Sequence, residues 1–395
     1  MEKLDGFFTI GLWHLGCVAS ACLARLGYPV TCFDFDVKRV AELKEGKFPI
    51  HEPGLPELFQ EGVSSGRIRF STDPKKEIPS SSIVYITHDT PVDDQDRVDL
   101  GVINKSIDLV LPLLNEASIL LISSQVPIGT SSEIARRLKG MNKTSAVCYF
   151  PENLRLGEAI TCFLHPDRMV FGLSTCQVKN DIERLFSKIP ARKLFMDLES
   201  AEMAKHALNS YLATNISFSS EIADLCEVTG ANANDVMEAL KLDKRVGEHA
   251  PIKPGLGFGG GTLARDLNIL RDVGARACMK TELLDAVLSV NIRRMDYIFK
   301  KLETVLGSLD GRQIAFLGLT YKARTSTLRR SLALQAIRAI KSTSTLFRAY
   351  DPMIQDSIPS EPRIHVCKSI EEAVTGADAL VITTAWDEFK NLEHV

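Results

Sequence analysis

Short apolar runs alternate with helical patterns from Phe7 to about residue 190, and this alternation restricts the possible folds more than any other feature. It is typical of βαβ units, in which a helix carries the chain back to the next parallel strand. The alternation returns after Met295, whereas residues between about 195 and 295 have the pattern of long amphipathic helices. The chain is therefore predicted to have an α/β fold of two doubly wound domains joined by a long central helix and a helical region.

The same pattern predicts the domain boundaries, which are 1–194, 195–298 and 299–395. The longest helix is predicted over 202–228, because Gly230 follows as a helix stop. The last recognisable strand ends a few residues before Val395, whereas a doubly wound sheet would normally have further strands. It therefore stays open whether the third domain is truncated. Strands are predicted over 7–10, 30–33, 82–87, 119–122, 146–149 and 169–172 in the first domain and over 313–317, 345–350 and 379–383 in the last, where a helix is predicted over 331–341.

Composition excludes several classes of partner. With 45% hydrophobic residues, 25% charged residues and a net charge of -3, the chain has no basic surface for nucleic acid or an anionic membrane. No apolar run is long enough to span a membrane, and the N-terminus lacks a secretory pattern, so we expect a cytoplasmic protein. The nine cysteines are scattered without CxxC pairs, which indicates reduced thiols and no metal site.

A dinucleotide site is predicted at the N-terminus. The first strand runs into Gly11-Leu12-Trp13-His14-Leu15-Gly16, a helix follows, and the second strand ends at Asp34. This is the Rossmann layout, in which the glycines allow a tight turn and close helix packing and the acid binds the adenosine ribose. Asp34 favours NAD over NADP. Trp13 stands where the middle glycine is expected, so the alternative is a structural turn in a domain that has lost its cofactor.

A second glycine-rich segment, residues 255–266, has the composition of a binding loop. It contains five glycines in seven positions and then presents Thr262, Arg265 and Asp266. Glycine loses more backbone entropy on folding than other residues, so such a run indicates a sharp turn or a close backbone approach. The alternative is a flexible connector.

Several segments together resemble the UDP-glucose/GDP-mannose dehydrogenase family of nucleotide-sugar oxidoreductases, and they extend from Gly11 to Trp386. The segments are IHEPGL (50–55), Thr90-Pro91, VPIGT (126–130), PENL (151–154), PDR (166–168), Lys205 with Asn209, Arg245-Val246-Gly247, GLTYK (318–322), Arg329, Ser331 and Tyr350-Asp351-Pro352.

The resemblance implies an NAD-dependent dehydrogenase that acts on the sugar alcohol of a UDP- or GDP-sugar, as UDP-glucose 6-dehydrogenases do. It implies an NAD-binding Rossmann-like domain, a central helical domain that forms a homodimer, and a C-terminal domain that binds the nucleotide sugar. The implied cofactor-binding residues are Gly11, Trp13, His14, Leu15, Gly16, Asp34, Lys38, Thr90 and Gln125. The implied substrate-binding residues are Glu152, Asn153, Leu154, Lys205, Asn209, Arg245, Lys253, Phe258, Gly259, Lys322 and Arg329.

The chemistry of alcohol oxidation agrees with this assignment. The site needs a base, a stabiliser for developing oxyanion charge and fixed donors for the sugar. Lys205 can supply the cation, Asn209 the donor, and Asp266 can orient water or accept the proton. Glu152 is the other candidate base. The predicted catalytic residues are Lys205, Asn209, Asp266, Glu152 and Thr262.

Residue 262 departs from the family pattern. The family normally carries a cysteine there, which forms a thiohemiacetal and then a thioester during oxidation to the acid. A threonine hydroxyl is a poor nucleophile without a dedicated base, so we expect no covalent step. A single oxidation, or a second one through the aldehyde hydrate, stays open, as does an oxidation followed by re-reduction. The alternative function is a catalytically silent relative that binds NAD or nucleotide sugar as a sensor or partner subunit.

Overall fold

The first strand, β1 (Phe7–Ile10), is buried along its whole length and pairs on both sides with parallel strands. The computed structural model describes residues 6–93, 98–151, 153–259 and 261–392. The chain divides into two units, Met1–His206 and Ala207–Val395.

In the described part of the first unit, eight strands form one sheet in the order β3-β2-β1-β4-β5-β6-β7-β8. Its first six strands follow the 3-2-1-4-5-6 order of a Rossmann domain. Apolar clusters cover both faces, as a parallel sheet requires. The strands after β1 are β2 (Val30–Phe33), β3 (Ile68–Phe70), β4 (Ile83–Ile86), β5 (Ile119–Ile122), β6 (Ala146–Tyr149), β7 (Arg168–Leu173) and β8 (Arg192–Met196).

Helices connect these strands. They are α1 (His14–Arg25), α2 (Val37–Lys44), α3 (Leu55–Ser64), α4 (Pro74–Glu77), α5 (Gly101–Val110), α6 (Thr130–Gly140), α7 (Ala159–Leu164) and α8 (Lys179–Leu185), with short 3₁₀ turns at Ile78–Ser80 and Cys176–Val178.

The sheet differs from the sequence prediction in two strands and one direction. The strands β3 and β8 were not predicted, because β3 has three residues with a central arginine and β8 begins with Arg192 and Lys193. The sheet was predicted to be parallel, but β7 runs antiparallel to β6. The connection between them contains α7, a helix of six residues, in place of the longer crossover typical of a βαβ unit.

The predicted central helix is present and slightly longer, as α9 (Leu198–Thr229). It ends where expected, because Gly230 adopts a left-handed φ of 74° and the Ala231 N–H donates to the Cys226 carbonyl over 2.9 Å. The boundary between the two units falls within this helix.

The second unit continues with helices and then a smaller sheet. Its described strands pair in parallel in the order β11-β10-β9-β12. Gly318 follows β9 with a φ of 95°, and a Cβ there would overlap Thr384, so the chain turns at this point much as it does at Gly11. The elements are α10 (Ala233–Leu242), α11 (Leu263–Arg276), α12 (Glu282–Met295), α13 (Tyr297–Leu306), β9 (Gln313–Leu317), α14 (Leu332–Ala339), β10 (Leu346–Tyr350), β11 (Ile364–Val366), α15 (Ile370–Val374), β12 (Ala379–Ile382) and a 3₁₀ turn at Asp387–Lys390.

Across the described residues, no helix combines the length and the apolar character needed to cross a membrane.

Candidate active site

The turn after β1 has the backbone geometry of a dinucleotide cradle. Gly11 has a φ of 101°, and a Cβ there would lie 2.8 Å from the His88 backbone nitrogen. A Cβ on Gly16 would overlap the Gly11 carbonyl oxygen. Both glycines are therefore required by close approach, and the N-terminus of α1 stays open to an anionic group. The NAD prediction fits this geometry.

Asp34 closes the turn from the end of β2. Its carboxylate accepts the Leu12 N–H over 2.6 Å and the Asp36 N–H over 2.9 Å. The Arg39 guanidinium lies 3.6 Å from Asp34 Oδ2 and 4.7 Å above the Trp13 ring. Trp13 itself has a φ of -87°, which any residue adopts, so the departure from glycine introduces no backbone strain.

Lys38, the predicted cation of this region, points elsewhere. Its side chain is 84% exposed and lies 3.6 Å from Glu42. The neighbouring cation, Arg39, is the one beside Asp34, because the Asp36 cap sets the register of α2. Asp36 is a typical helix N-cap residue, so its position three residues before Arg39 was the signal in the sequence that could have given the start of α2.

Glu52, in the IHEPGL segment, is a buried residue with several hydrogen-bond partners, and the sequence analysis gave it no role. It is 2% exposed and lies 2.8 Å from His14 Nε2. Its carboxylate also accepts the Gly157 and Ala159 N–H groups, each over 2.9 Å. Burial raises the pKa of Glu52, but the hydrogen bonds from His14, Ala159 and Gly157 outweigh it and leave the pKa below its ordinary value. His14 is thus held in place at the start of α1.

Thr90 and Gln125 follow β4 and β5 at the carboxyl edge of the sheet. The Thr90 hydroxyl donates to the Gln125 carbonyl over 2.6 Å, and both residues are buried. His88, two residues before Thr90, lies 2.8 Å from Ser106 Oγ. Burial lowers the pKa of His88 to about 4, so this histidine is neutral near physiological pH.

Asn153 and Leu154 line a small cavity at the same edge. Leu15, Tyr85, Ser123 and Cys162 also line it. The Asn153 amide donates to the Pro151 carbonyl over 3.2 Å. Glu152, the alternative base, lies outside the described residues.

Lys205 and Asn209 are four residues apart on α9, and both side chains are buried. In the second unit, the Asn209 amide donates to Asp266 Oδ2, and Arg265 Nε lies 3.4 Å from Asp266 Oδ1. Asp266 is fully buried. Asn209 and Arg265 thus supply an amide donor and a cation to this buried carboxylate.

The loop at 255–261 uses its alternate glycines for close contacts. A Cβ at Gly257 would overlap Asn291 Oδ1, one at Gly259 would lie 2.7 Å from the Arg330 carbonyl oxygen, and one at Gly261 would lie 3.1 Å from the Arg329 guanidinium. These three glycines are packed against other parts of the chain, which disfavours the alternative of a flexible connector.

Thr262 follows this loop at the start of α11. The residue is exposed, and its hydroxyl makes no capping bond to the helix within the described chain.

The other predicted substrate residues are spread over the second unit. Phe258 is buried in a cluster with Ala213, Leu267 and Val287, and Lys322 is half-buried. Arg329 reaches the glycine loop. Lys253 is exposed, and Arg245, 90% exposed, pairs with Asp243 at 2.7 Å.

Asp351 was quoted in the sequence only as part of a motif, and the structure shows that it repeats the role of Asp34. It ends β10 and accepts the Leu319 N–H over 2.7 Å and the Thr320 N–H over 2.9 Å. The Trp386 indole donates to it over 3.2 Å. Each unit thus closes its glycine turn with an aspartate from the adjacent strand.

Elsewhere in the second unit, His365, Cys367 and Glu372 place ligand atoms within 4.8 Å of one another. The Arg348 guanidinium lies 3.9 Å from Glu372 Oε1, so the positive charge near these three residues comes from an arginine side chain.

Family models match three successive parts of the chain. The NAD binding domain of the UDP-glucose/GDP-mannose dehydrogenase family matches residues 7–190, its central domain matches 199–293 and its UDP binding domain matches 315–395. The chain belongs to the UDP-glucose/GDP-mannose dehydrogenase family.

Individual relatives agree with the family. The chain is 34% identical over 393 residues to UDP-glucose 6-dehydrogenase TuaD of Bacillus subtilis, covering 98% of this chain and 85% of that protein. It is 32% identical to UDP-glucose 6-dehydrogenase of Rickettsia conorii, covering 97% and 90%.

Solved structures of similar proteins agree as well. A UDP-glucose dehydrogenase from Pyrobaculum islandicum has a TM-score of 0.92 and 28% identity, over 100% of this chain and 93% of that one. A UDP-D-ManNAc dehydrogenase from Pyrococcus horikoshii has a TM-score of 0.86 and 26% identity, over 98% and 91%.

These comparisons confirm the predicted fold class, the NAD cofactor and the family. The chain is an NAD-dependent nucleotide-sugar dehydrogenase, and its UDP binding domain supports a nucleotide-sugar substrate. The silent-relative alternative is therefore not favoured.

Proposed function

We propose that this chain oxidises the primary alcohol of a UDP-hexose such as UDP-glucose with NAD, and that no thiohemiacetal forms. The names of the relatives support the substrate, and Thr262 supports the absence of a covalent step. The observation that carries the proposal is the buried carboxylate of Asp266, held between Asn209 and Arg265 in the segment that begins with Thr262.

In this proposal the cofactor is held by the turn Gly11–Gly16 and Asp34, with Thr90 and Gln125 at the sheet edge. NAD supplies the hydride acceptor, so that the alcohol becomes an aldehyde with formation of one NADH and release of one proton. The proton leaves through a water oriented by Asp266. The Lys205 ammonium stabilises the developing alkoxide, because a cation in a buried site acts strongly on negative charge.

A second oxidation, where it occurs, starts from the aldehyde hydrate. Water adds to the aldehyde, and the hydrate loses a hydride and a proton to give the acid and a second NADH. In this proposal Asp266 orients that water, and no sulfur is required. The number of NADH formed per sugar separates arrest at the aldehyde from complete oxidation.

The test of the assigned residues uses Lys205→Ala with an exposed lysine, Lys244, as control. Loss of the ammonium is expected to lower kcat by about a hundredfold or more, as removal of one oxyanion stabiliser does. Lys244→Ala changes an exposed lysine and is expected to keep full turnover. A Lys205→Ala variant with unchanged kcat would overturn the assignment.

We also propose a homodimer through α9. In the second unit this helix exposes Tyr211, Phe218 and Leu225 at seven-residue spacing, with Val228 beyond them. An apolar stripe of this period is typical of helix pairing. The proposed second copy would cover this stripe.

A further inference from the structure

Two side chains of α12 bind the backbone of residues 255–259, which form the described first part of the glycine loop. No sequence motif assigned this helix to the site. The Phe258 N–H donates to Asn291 Oδ1 over 2.8 Å, and the Asn291 amide donates to the Phe258 carbonyl over 3.1 Å. One carboxamide thus satisfies both backbone groups of one residue. The carboxamide of asparagine carries its donor and its acceptor on separate atoms, whereas an aspartate of the same shape lacks the donor when ionised.

The approach of Asn291 is close enough to restrict the loop sequence. Gly257 has a φ of 95°, and any Cβ there would overlap Asn291 Oδ1. The position is therefore restricted twice, by its left-handed backbone and by the carboxamide.

Arg294, one turn further along α12, holds the start of the loop. Its Nε donates to the Gly255 carbonyl over 2.7 Å, and its Nη1 pairs with Asp224 on α9. The guanidinium also lies 3.9 Å above the Tyr297 ring, and the residue is 7% exposed. A guanidinium fixed at three points is a rigid anchor for the carbonyl that it binds.

The other side of the loop meets residues 329–330. Gly259 faces the Arg330 carbonyl, and Gly261 faces the Arg329 guanidinium. Residues 255–259 therefore lie between α12 and this segment.

We propose that Asn291 and Arg294 are positioning residues that hold residues 255–259 in the shape that binds the sugar. The inference rests on the proposed function, together with the expectation from the family resemblance that Phe258 and Gly259 bind the substrate. Because Asn291 uses the Phe258 N–H and C=O and the Phe258 side chain is buried, Phe258 contributes shape, and the sugar contacts come from neighbouring peptides. A loop held in its bound shape loses less entropy on binding, so the clamp acts on substrate affinity.

The test compares Asn291→Ala with Arg293→Ala in the full chain. Arg293 is adjacent on α12, but it lies 3.1 Å from Ser289 Oγ and faces Glu221, away from the loop. Loss of two hydrogen bonds is expected to raise the KM for UDP-glucose, and its Kd by calorimetry, by about tenfold. The Kd for NAD is expected to stay unchanged, and Arg293→Ala is expected to match the wild type.

Asn291→Asp is expected to give a pH-dependent KM for UDP-glucose, which a general packing defect would not give. The carboxylate still accepts the Phe258 N–H, but it repels the Phe258 carbonyl. Lowering the pH protonates it and restores a donor, so the KM ratio of variant to wild type is expected to fall as the pH falls. If Asn291→Ala does not fold, Arg294→Lys is the second variant. It keeps the positive charge but loses the planar guanidinium with its several N–H donors.

An Asn291→Ala protein with wild-type UDP-glucose affinity would overturn the inference, and so would an equal weakening of NAD binding. If the wild type binds UDP-glucose without forming NADH, the proposed function fails. The calorimetric comparison of Asn291→Ala with the wild type still decides the role of the clamp.

Discussion

At the scale of single residues, the chain fixes its turns with buried carboxylates whose partners lie far away in sequence. Asp34 could be predicted, because an acid at the end of the second strand is part of the Rossmann layout. Lys38 was predicted in place of its neighbour Arg39, the cation beside Asp34, because the N-cap of α2 decides which residue faces Asp34. Glu52 could be quoted from a motif, but its bonds to Gly157 and Ala159 span more than a hundred residues, and no local pattern contains them.

Glu52→Gln is expected to lower the free energy of unfolding by about 1–3 kcal/mol near neutral pH, because charge-assisted bonds to a buried carboxylate are lost. The folded pKa of Glu52 is below its ordinary value, so its ionisation stabilises the fold above about pH 4.3 and this contribution is lost as the pH falls through the folded pKa. Denaturant unfolding of both proteins at neutral and acid pH measures the effect.

The difference between wild type and Glu52→Gln should therefore shrink as the solution is made acidic. Glu57→Gln, a nearby exposed glutamate on α3, serves as the control and should show little difference at either pH. A gap that widens on acidification would refute the assigned role of the charge.

At the scale of elements, strands buried on both faces could be predicted because their apolar runs are continuous. The strands β3 and β8 could not, since charged residues interrupt them. The glycine loop shows the same limit. Its composition indicated close approach, but the atoms that require Gly257, Gly259 and Gly261, on α12 and at residues 329–330, come from other parts of the chain.

Gly257→Ala is expected to destabilise the second unit and to impair sugar binding. A non-glycine residue in the left-handed region costs about 1–2 kcal/mol, and the overlap with Asn291 adds to that. Gly255→Ala is the matched control. The closest described atom beyond its chain neighbours would lie 4.0 Å from the new Cβ, and no left-handed φ is recorded there.

Thermal unfolding and the Kd for UDP-glucose should separate these two variants. If Gly257→Ala and Gly255→Ala have the same unfolding temperature and the same Kd, the overlap with Asn291 does not determine the conformation of the loop.

At the scale of the whole molecule, hydrophobic periodicity was sufficient to predict an α/β chain with a long central helix. The family resemblance, and not the periodicity, implied that this helix forms a dimer interface, and the stripe of Tyr211, Phe218 and Leu225 on which the proposal rests became visible only when burial was known. Periodicity shows that a side chain is apolar, whereas the fold decides whether the same protomer covers it.

Leu225→Asp is expected to convert the dimer to a monomer, because a carboxylate would be buried in an apolar contact. Light scattering during size-exclusion chromatography reads the mass. Val305→Asp changes a similarly exposed residue on α13 and should keep the dimer mass. A Leu225→Asp protein that stays dimeric places the interface elsewhere.

The measurement that tests the central claim most directly is NADH formation from UDP-glucose and NAD before and after alkylation with iodoacetamide. The comparison is made in a Cys162→Ser background, because Cys162 lines the cavity beside Asn153. Cys176 and Cys278 are exposed and will react. Because no thiol is proposed to attack the substrate, the rate and the NADH per sugar should be the same in both samples. Loss of NADH formation on alkylation, or binding of UDP-glucose without any NADH in the untreated protein, would contradict the account.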